Sequence, residues 1–226
     1  MASEVTMHSI FLDEPDVHEW TEERRMYGSD HPISFSRYLD IAGAKDFVEL
    51  VNGILVEKMA AQLDHEWSIA WLYHVLGVVA GKLQLGMVLG SRTPVEISEF
   101  GGRLPDILFV SEARRDIVQQ KAVYGAPDLV IEFRSPGDRP SDIIALETDY
   151  RRIGVFEIAF VDRRNGTIRL LRKRDPGYEE TIVSTGPFVF ETLPEIRLEA
   201  AWLLTDARPE AFDFITEAVA RVQQKD

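Results

Sequence analysis

Two short apolar runs, Ile107-Leu-Phe-Val110 and Leu129-Val-Ile131, show no alternation of polar with apolar positions. A strand with one wet face alternates, whereas an unbroken run is how a strand reads when helices cover both of its faces. Helical signals surround both runs. Trp67, Trp71, Leu72, Val75, Leu76 and Val79 recur at helical spacing, predicting a long helix from a capping Asp64 to about Leu85. Residues 111–123 read as a helical stretch between the runs. Ser141 and Asp142 open another helix that is expected to stop at Gly154, a residue suited to the left-handed C-terminal position. Strands buried between helices make this an α/β chain.

Other segments read as antiparallel. Phe47-Val-Glu-Leu-Val51 and Ile54-Leu-Val-Glu-Lys58 flank Asn52-Gly53, a pair that tolerates the positive φ angles of a tight hairpin turn. Asn165-Gly166 gives the same signal between strands expected at 155–161 and 167–173, and 178–184 and 188–190 extend that part. A short helix is expected at 34–44, short strands at 87–89, 93–98 and 104–110, and a turn at Gly101-Gly102. Residues 206–225 read as a closing amphipathic helix with Pro209 in its first turn. Residues 1–30, rich in Asp and Glu with little apolar periodicity, are expected to form an acidic, loosely docked arm. With no internal repeat and no biased linker, 31–226 reads as a single domain.

Composition narrows the chemistry. Among 226 residues, 45% are apolar and 28% charged, as in ordinary globular proteins. No apolar run approaches the ~20 residues of a bilayer span, and Met1-Ala-Ser-Glu4 lacks the basic start of a signal peptide, so no membrane partner and a cytoplasmic location are expected. The absence of cysteine removes disulfides, thiol nucleophiles and thiolate metal sites, leaving carboxylate and imidazole for a hard metal. The net charge of −13 opposes general coating of nucleic acid. Between Arg134 and Arg174, however, ten basic residues stand against six acidic ones. Such a segment is either a phosphate-facing surface or a solvated face balanced by acids.

Asp106, after Leu104-Pro105, and Glu132, at the end of Asp128-Leu-Val-Ile-Glu132-Phe-Arg134, fall on neighbouring strand candidates. Adjacent strands lie ~4.8 Å apart, so carboxylates on one face can share a divalent cation, with the Phe133 carbonyl as a third ligand. Open positions then remain for water and a phosphate oxygen. Glu132 directly follows an apolar strand and, if buried, needs a partner.

Val48-Glu-Leu-Val-Asn-Gly53, His65, Pro105-Asp106, Gly125-Ala-Pro-Asp-Leu-Val-Ile-Glu132, Ser135-Pro136, Tyr150-x-x-x-Gly154-Val155 and Val161-Asp162 occur in an order and spacing that carry a resemblance. The chain resembles the PD-(D/E)XK nuclease superfamily, and more narrowly the Uma-two family of restriction-endonuclease-like proteins, over about residues 34–173. The resemblance implies a restriction-endonuclease-like mixed sheet flanked by helices, with an antiparallel C-terminal extension. It also implies Mg²⁺ or Mn²⁺ at Asp106 and Glu132, Glu49 near that metal, His65 at the edge of the site, and DNA as substrate. From periodicity alone, Glu49 between Val48 and Leu50 reads as a solvent-facing strand residue, and His65 as a first-turn helix residue.

The sequence also departs from the family pattern. Leu146 occupies the position, four residues before Tyr150, where relatives carry a lysine, and Ile158-Ala159 replace an aromatic pair. Arg134 sits where the superfamily motif has its lysine; it can supply positive charge to phosphate but cannot act as a general base. The leading expectation is a metal-dependent endonuclease, with two states open: an active enzyme that uses Arg134, or a diverged member that keeps the fold with weak activity. Its rival is a non-catalytic homodimeric binding or assembly module joined through the strands after Val155. An enzyme acting on a small phosphorylated molecule has no motif behind it. If the basic excess serves DNA, Arg139, Arg151, Arg152, Arg163 and Arg164 are expected to border one cleft.

Overall fold

The computed structural model describes residues 17–21, 26–41, 47–58, 63–90, 92–135 and 137–224. Their packing divides into two compact units. One takes the described residues as far as Lys58 together with Glu96–Leu104, and the other takes those of 63–95 and from Pro105 onward.

The first unit is built on a six-stranded sheet in the order β1-β2-β4-β3-β7-β6, formed by β1 (Val17–Thr21), β2 (Met26–Ser29), β3 (Val48–Val51), β4 (Ile54–Glu57), β6 (Val95–Ser98) and β7 (Gly101–Arg103). The predicted hairpin is β3–β4, with Asn52 at φ 51° and Gly53 at φ 79°, both in the left-handed region the turn demands. Helix α1 (Phe35–Ile41) buries Phe35 and Tyr38, a shorter span than expected; 42–46 lie outside the described residues.

Two expectations are corrected in this unit. Residues 17–21 and 26–29, read as part of an acidic arm, pair with each other, and β2 also pairs with β4. Tyr27 is buried and its hydroxyl donates to Glu57 at 3.1 Å, an anchor that a count of acidic residues conceals. The remainder of the arm, 1–16 and 22–25, lies outside the described residues. Gly101-Gly102 is a strand and not a turn, the turn falling one step earlier at Glu99-Phe100. Glycine is required there by packing: a Cβ on Gly102 would stand 2.6 Å from the Phe35 ring.

The second unit holds a six-stranded sheet in the order β12-β11-β10-β9-β8-β5, made of β5 (Gly86–Gly90), β8 (Ile107–Ser111), β9 (Leu129–Phe133), β10 (Glu157–Asp162), β11 (Thr167–Arg174) and β12 (Gly177–Val183). Only β9 and β10 are parallel, joined through α3 (Pro140–Ile153), which ends at Gly154 with φ 82° as expected. Both apolar runs are central strands, buried throughout. On one face Ile107, Phe109, Ile131 and Ala159 meet Leu72, Val75, Leu76 and Val79 of α2 (Leu63–Lys82) within the main core. The opposite face carries α3, whose buried Tyr150 reaches Glu132 of β9.

A hairpin of β13 (Pro187–Phe190) and β14 (Leu193–Glu199) closes over that core, followed by α4 (Ala200–Leu204) and α5 (Ala211–Gln223). Trp71, Trp202 and Phe214 meet edge-on and tilted at centroid distances of 5.3–6.0 Å, locking α2, α4 and α5 together. The last helix begins later than expected. Glu210 caps it by accepting from the N–H groups of Phe212 and Asp213, and Pro209 remains outside with its carbonyl taken by the Trp71 indole. The stretch 111–123 yields only a six-residue 3₁₀ segment, Glu112–Ile117, broken at Arg114.

Candidate active site

The β8–β9 ladder fixes the central geometry. Its pairs are Phe109 with Leu129, Leu108 with Val130, and Ile107 with Ile131. The ladder ends there; continued by one step, its register would oppose Asp106 to Glu132, and directly opposed residues project to the same face with Cβ atoms roughly 4.5–5.5 Å apart. At that step the Asp106 carboxylate itself accepts the N–H of Phe133 at 2.8 Å, next to Glu132 in the chain. Glu132 lies on the face toward α3 and accepts from the Tyr150 hydroxyl at 2.5 Å. Both carboxylates are buried, at 9% and 4% exposure. A backbone amide and a phenol are thus among the donors that hold them.

Two buried carboxylates beside a strand carbonyl form an all-oxygen donor set, which suits a hard divalent cation. Among the described residues no group of three or more His, Asp or Glu is gathered to hold a metal. The fit therefore depends on Asp106, Glu132 and the Phe133 carbonyl, completed by water.

Arg134 leaves β9 on the same side, but its guanidinium donates to Asp162 at 2.7 Å. Asp162 also accepts the backbone N–H of Asn165 at 3.0 Å and its side-chain amide at 2.7 Å. The cation is held in place with its charge matched, and the parallel β9–β10 pairing is what brings positions 134 and 162 together. Leu146, half-buried, lies one turn before Tyr150 on the face of α3 that also carries Ile143.

Glu49 belongs to β3, in the first unit's sheet, and not to the sheet of β8 and β9. Nor is it solvent-facing. It is buried, ion-paired to Arg103 at 2.8 Å, and accepts the Leu104 N–H at 3.1 Å. Strand β3 is covered on both faces, Val48, Glu49 and Leu50 all being buried, which is why alternation misleads here. Burial, together with the Glu49 charge, holds the Tyr38 phenol well above its ordinary range, and its hydroxyl donates to the Val48 carbonyl at 2.9 Å. His65 lies in α2, but its side chain is outside the described residues, as is Pro136 of the Ser135-Pro136 motif.

The basic segment is largely committed to ion pairs. Arg151 pairs with Glu147, Arg152 with Asp149, Arg163 with Asp206, Arg169 with Glu147 and Glu180, Arg172 with Glu157, and Arg174 with Glu179 and Glu191. Arg139 and Arg164 are exposed and have no ion pair among the described residues. Two residues that sequence reasoning assigned no role are Tyr150 and Asp162, the partners of Glu132 and Arg134. Each stood in a quoted motif, but only the fold shows what it holds.

A mixed sheet flanked by helices, with paired carboxylates at one end of its central strands, defines the restriction-endonuclease-like class of nuclease folds. The family model "Uma2: Putative restriction endonuclease" matches residues 35–201, and the chain belongs to that family. A solved structure from Anabaena variabilis ATCC 29413, described as a putative nuclease belonging to DUF820, shares the fold with a TM-score of 0.65 at 17% identity, covering 76% of this chain and 98% of that one. No curated protein matches the chain. No helix among the described residues is long and apolar enough to cross a membrane.

Proposed function

We propose that the chain is a Mg²⁺- or Mn²⁺-dependent endonuclease acting on DNA phosphodiesters, with a slow chemical step. The observation that carries this reading is the seating of the Asp106 carboxylate on the Phe133 amide beside Glu132, two buried acids at the end of adjacent strands. Asp106, Glu132 and the Phe133 carbonyl would hold the cation. That ion, when bound, supplies activation of water and neutralisation of charge on the phosphate. Tyr150 fixes the Glu132 carboxylate through its hydroxyl, so the acid is oriented before any ligand arrives. Arg134 presents a cation past the end of β9, but Asp162 offsets it, and the apolar Leu146 cannot orient water. Those two features support slow hydrolysis with binding retained.

Calorimetric titration with Mn²⁺ tests this directly. Wild type is expected to bind one ion and Glu132→Ala to lose it; equal behaviour of the two proteins would refute the centre. A non-catalytic, homodimeric assembly module is the second reading. It is favoured by the consumption of the basic excess in ion pairs, and by β12, an exposed strand at the end of its sheet. Absence of Mn²⁺ binding together with a concentration-dependent dimer would support it.

A further inference from the structure

Outside the candidate centre, two arginines converge on a pair of oxygens. Arg163, the first residue beyond β10, and Arg208, between α4 and α5, each give one terminal nitrogen to the hydroxyl of Ser68, at 3.3 and 2.8 Å. Each gives the other to the same carboxylate oxygen, Oδ1 of Asp206, at 2.8 and 3.0 Å. Ser68 is fully buried in α2, while the Asp206 side chain is 75% exposed. Two guanidiniums side by side repel each other, and here one exposed carboxylate is shared between them. A phosphodiester offers two non-bridging oxygens with the charge and spacing that paired guanidiniums match in bidentate fashion.

Position strengthens the case. β9 and β10 are parallel neighbours, so their carboxyl ends, bearing Glu132 and Asp162, share one edge of the sheet, and Arg163 follows Asp162 directly. The carboxyl ends of parallel strands are where open α/β sheets place ligands. We propose that Arg163, Arg208 and Ser68 form a subsite for a backbone phosphate of the nucleic acid, with the Asp206 carboxylate seated in it as a displaceable internal counterion. The subsite rests on the nuclease reading and adds to it a strand-positioning contact separate from the carboxylates.

The test is Asp206→Asn, an exposed change that keeps the shape and an acceptor oxygen while removing the competing charge. Inorganic phosphate is titrated calorimetrically, and a fluorescent DNA duplex by anisotropy over a range of salt. An exposed ion pair is weak, so its removal is expected to tighten both by about threefold to fivefold. Adding Arg163→Gln to Asp206→Asn should abolish the gain and flatten the duplex salt slope by about one counterion. A gain for phosphate without one for duplex overturns the nucleic-acid assignment. No gain for either, with the thermal midpoint lowered, overturns the subsite and makes the cluster a staple between α2 and the α4–α5 loop. Mn²⁺ binding that remains sensitive to Glu132→Ala would then show that the subsite has failed and the metal centre has not.

Discussion

Glu49→Gln separates a structural carboxylate from a metal-assisting one. Glu49 and Arg103 are each 7% exposed at the side chain and stand 2.8 Å apart. At an effective dielectric of ~20 their attraction is about 6 kcal/mol, most of it offset by the cost of taking both charges out of water. Losing one partner of a buried ion pair costs up to roughly 3–5 kcal/mol. For a chain of this size that is a fall of about 6–20 °C in melting temperature. Glutamine keeps an acceptor for the Leu104 amide, so the loss reports the charge. Hydrogen exchange should localise it to β3 and β7. Glu49→Gln with Arg103→Met should recover most of the stability, because the pair is then removed as a unit. Mn²⁺ affinity should be unchanged in both variants. A single variant within ~0.5 kcal/mol of wild type, or one that keeps its stability and loses Mn²⁺, would refute the reasoning.

Tyr150→Phe removes the hydroxyl that orients Glu132 and should weaken Mn²⁺ binding by about tenfold, read by calorimetry; an unchanged affinity would remove Tyr150 from the site. Leu146→Lys should raise Mn²⁺-dependent plasmid nicking roughly 10²- to 10³-fold, because positioned charge at a transition state is worth ~3–4 kcal/mol. Efficient cleavage by wild type that is lost in Arg134→Ala would assign the role to Arg134 instead. Acid should expose the β11–β12 ion pairs. Hydrogen bonds from Arg169 hold Glu180, and those from Arg174 hold Glu191, below the ordinary 4.5. The unfolded chain therefore binds protons first as pH falls, so the contribution is complete above 4.5 and is lost as pH drops through the folded values. Urea midpoints of wild type and an Arg169→Gln, Arg174→Gln double variant should differ at pH 7 and draw together as pH falls below 4.5.

Much of the fold was legible because its signals are local. Asn52-Gly53 specifies its own dihedral angles, Gly154 its helix stop, and the two apolar runs their burial, whereas the second hairpin turns over four residues, 163–166, with Gly166 but not Asn165 at positive φ. What escaped depends on distant neighbours. β14 contains Pro194, and a register shift between Val189 and Phe190 breaks the alternation of its hairpin, so Leu193, Ile196 and Leu198 did not read as one buried face. Gly101-Gly102 reads as a turn by composition and is a strand because the Phe35 ring lies against it.

The candidate site divides along the same line. Glu132 was legible as a buried acid because it ends an apolar strand, although its partner Tyr150 sits 18 residues later on a helix. The positive segment misled by its charge count. Glu147–Arg151 and Asp149–Arg152 are visible as helical neighbours, four and three residues apart. Arg169–Glu180 needs the β11–β12 register: Arg169 faces Ile182, which puts Glu180 on the diagonal within reach of a long side chain. Arg172–Glu157 needs the β10–β11 register, where the two residues are directly opposed. Once these pairs form, a segment with a four-charge excess in sequence presents few cations to a ligand. On the proposed nuclease reading, affinity for nucleic acid would come from the exposed Arg139 and Arg164 and from guanidiniums whose partners yield. The pair of arginines sharing the exposed Asp206 meets that condition, while Arg172, bound to a Glu157 that is fully buried, does not.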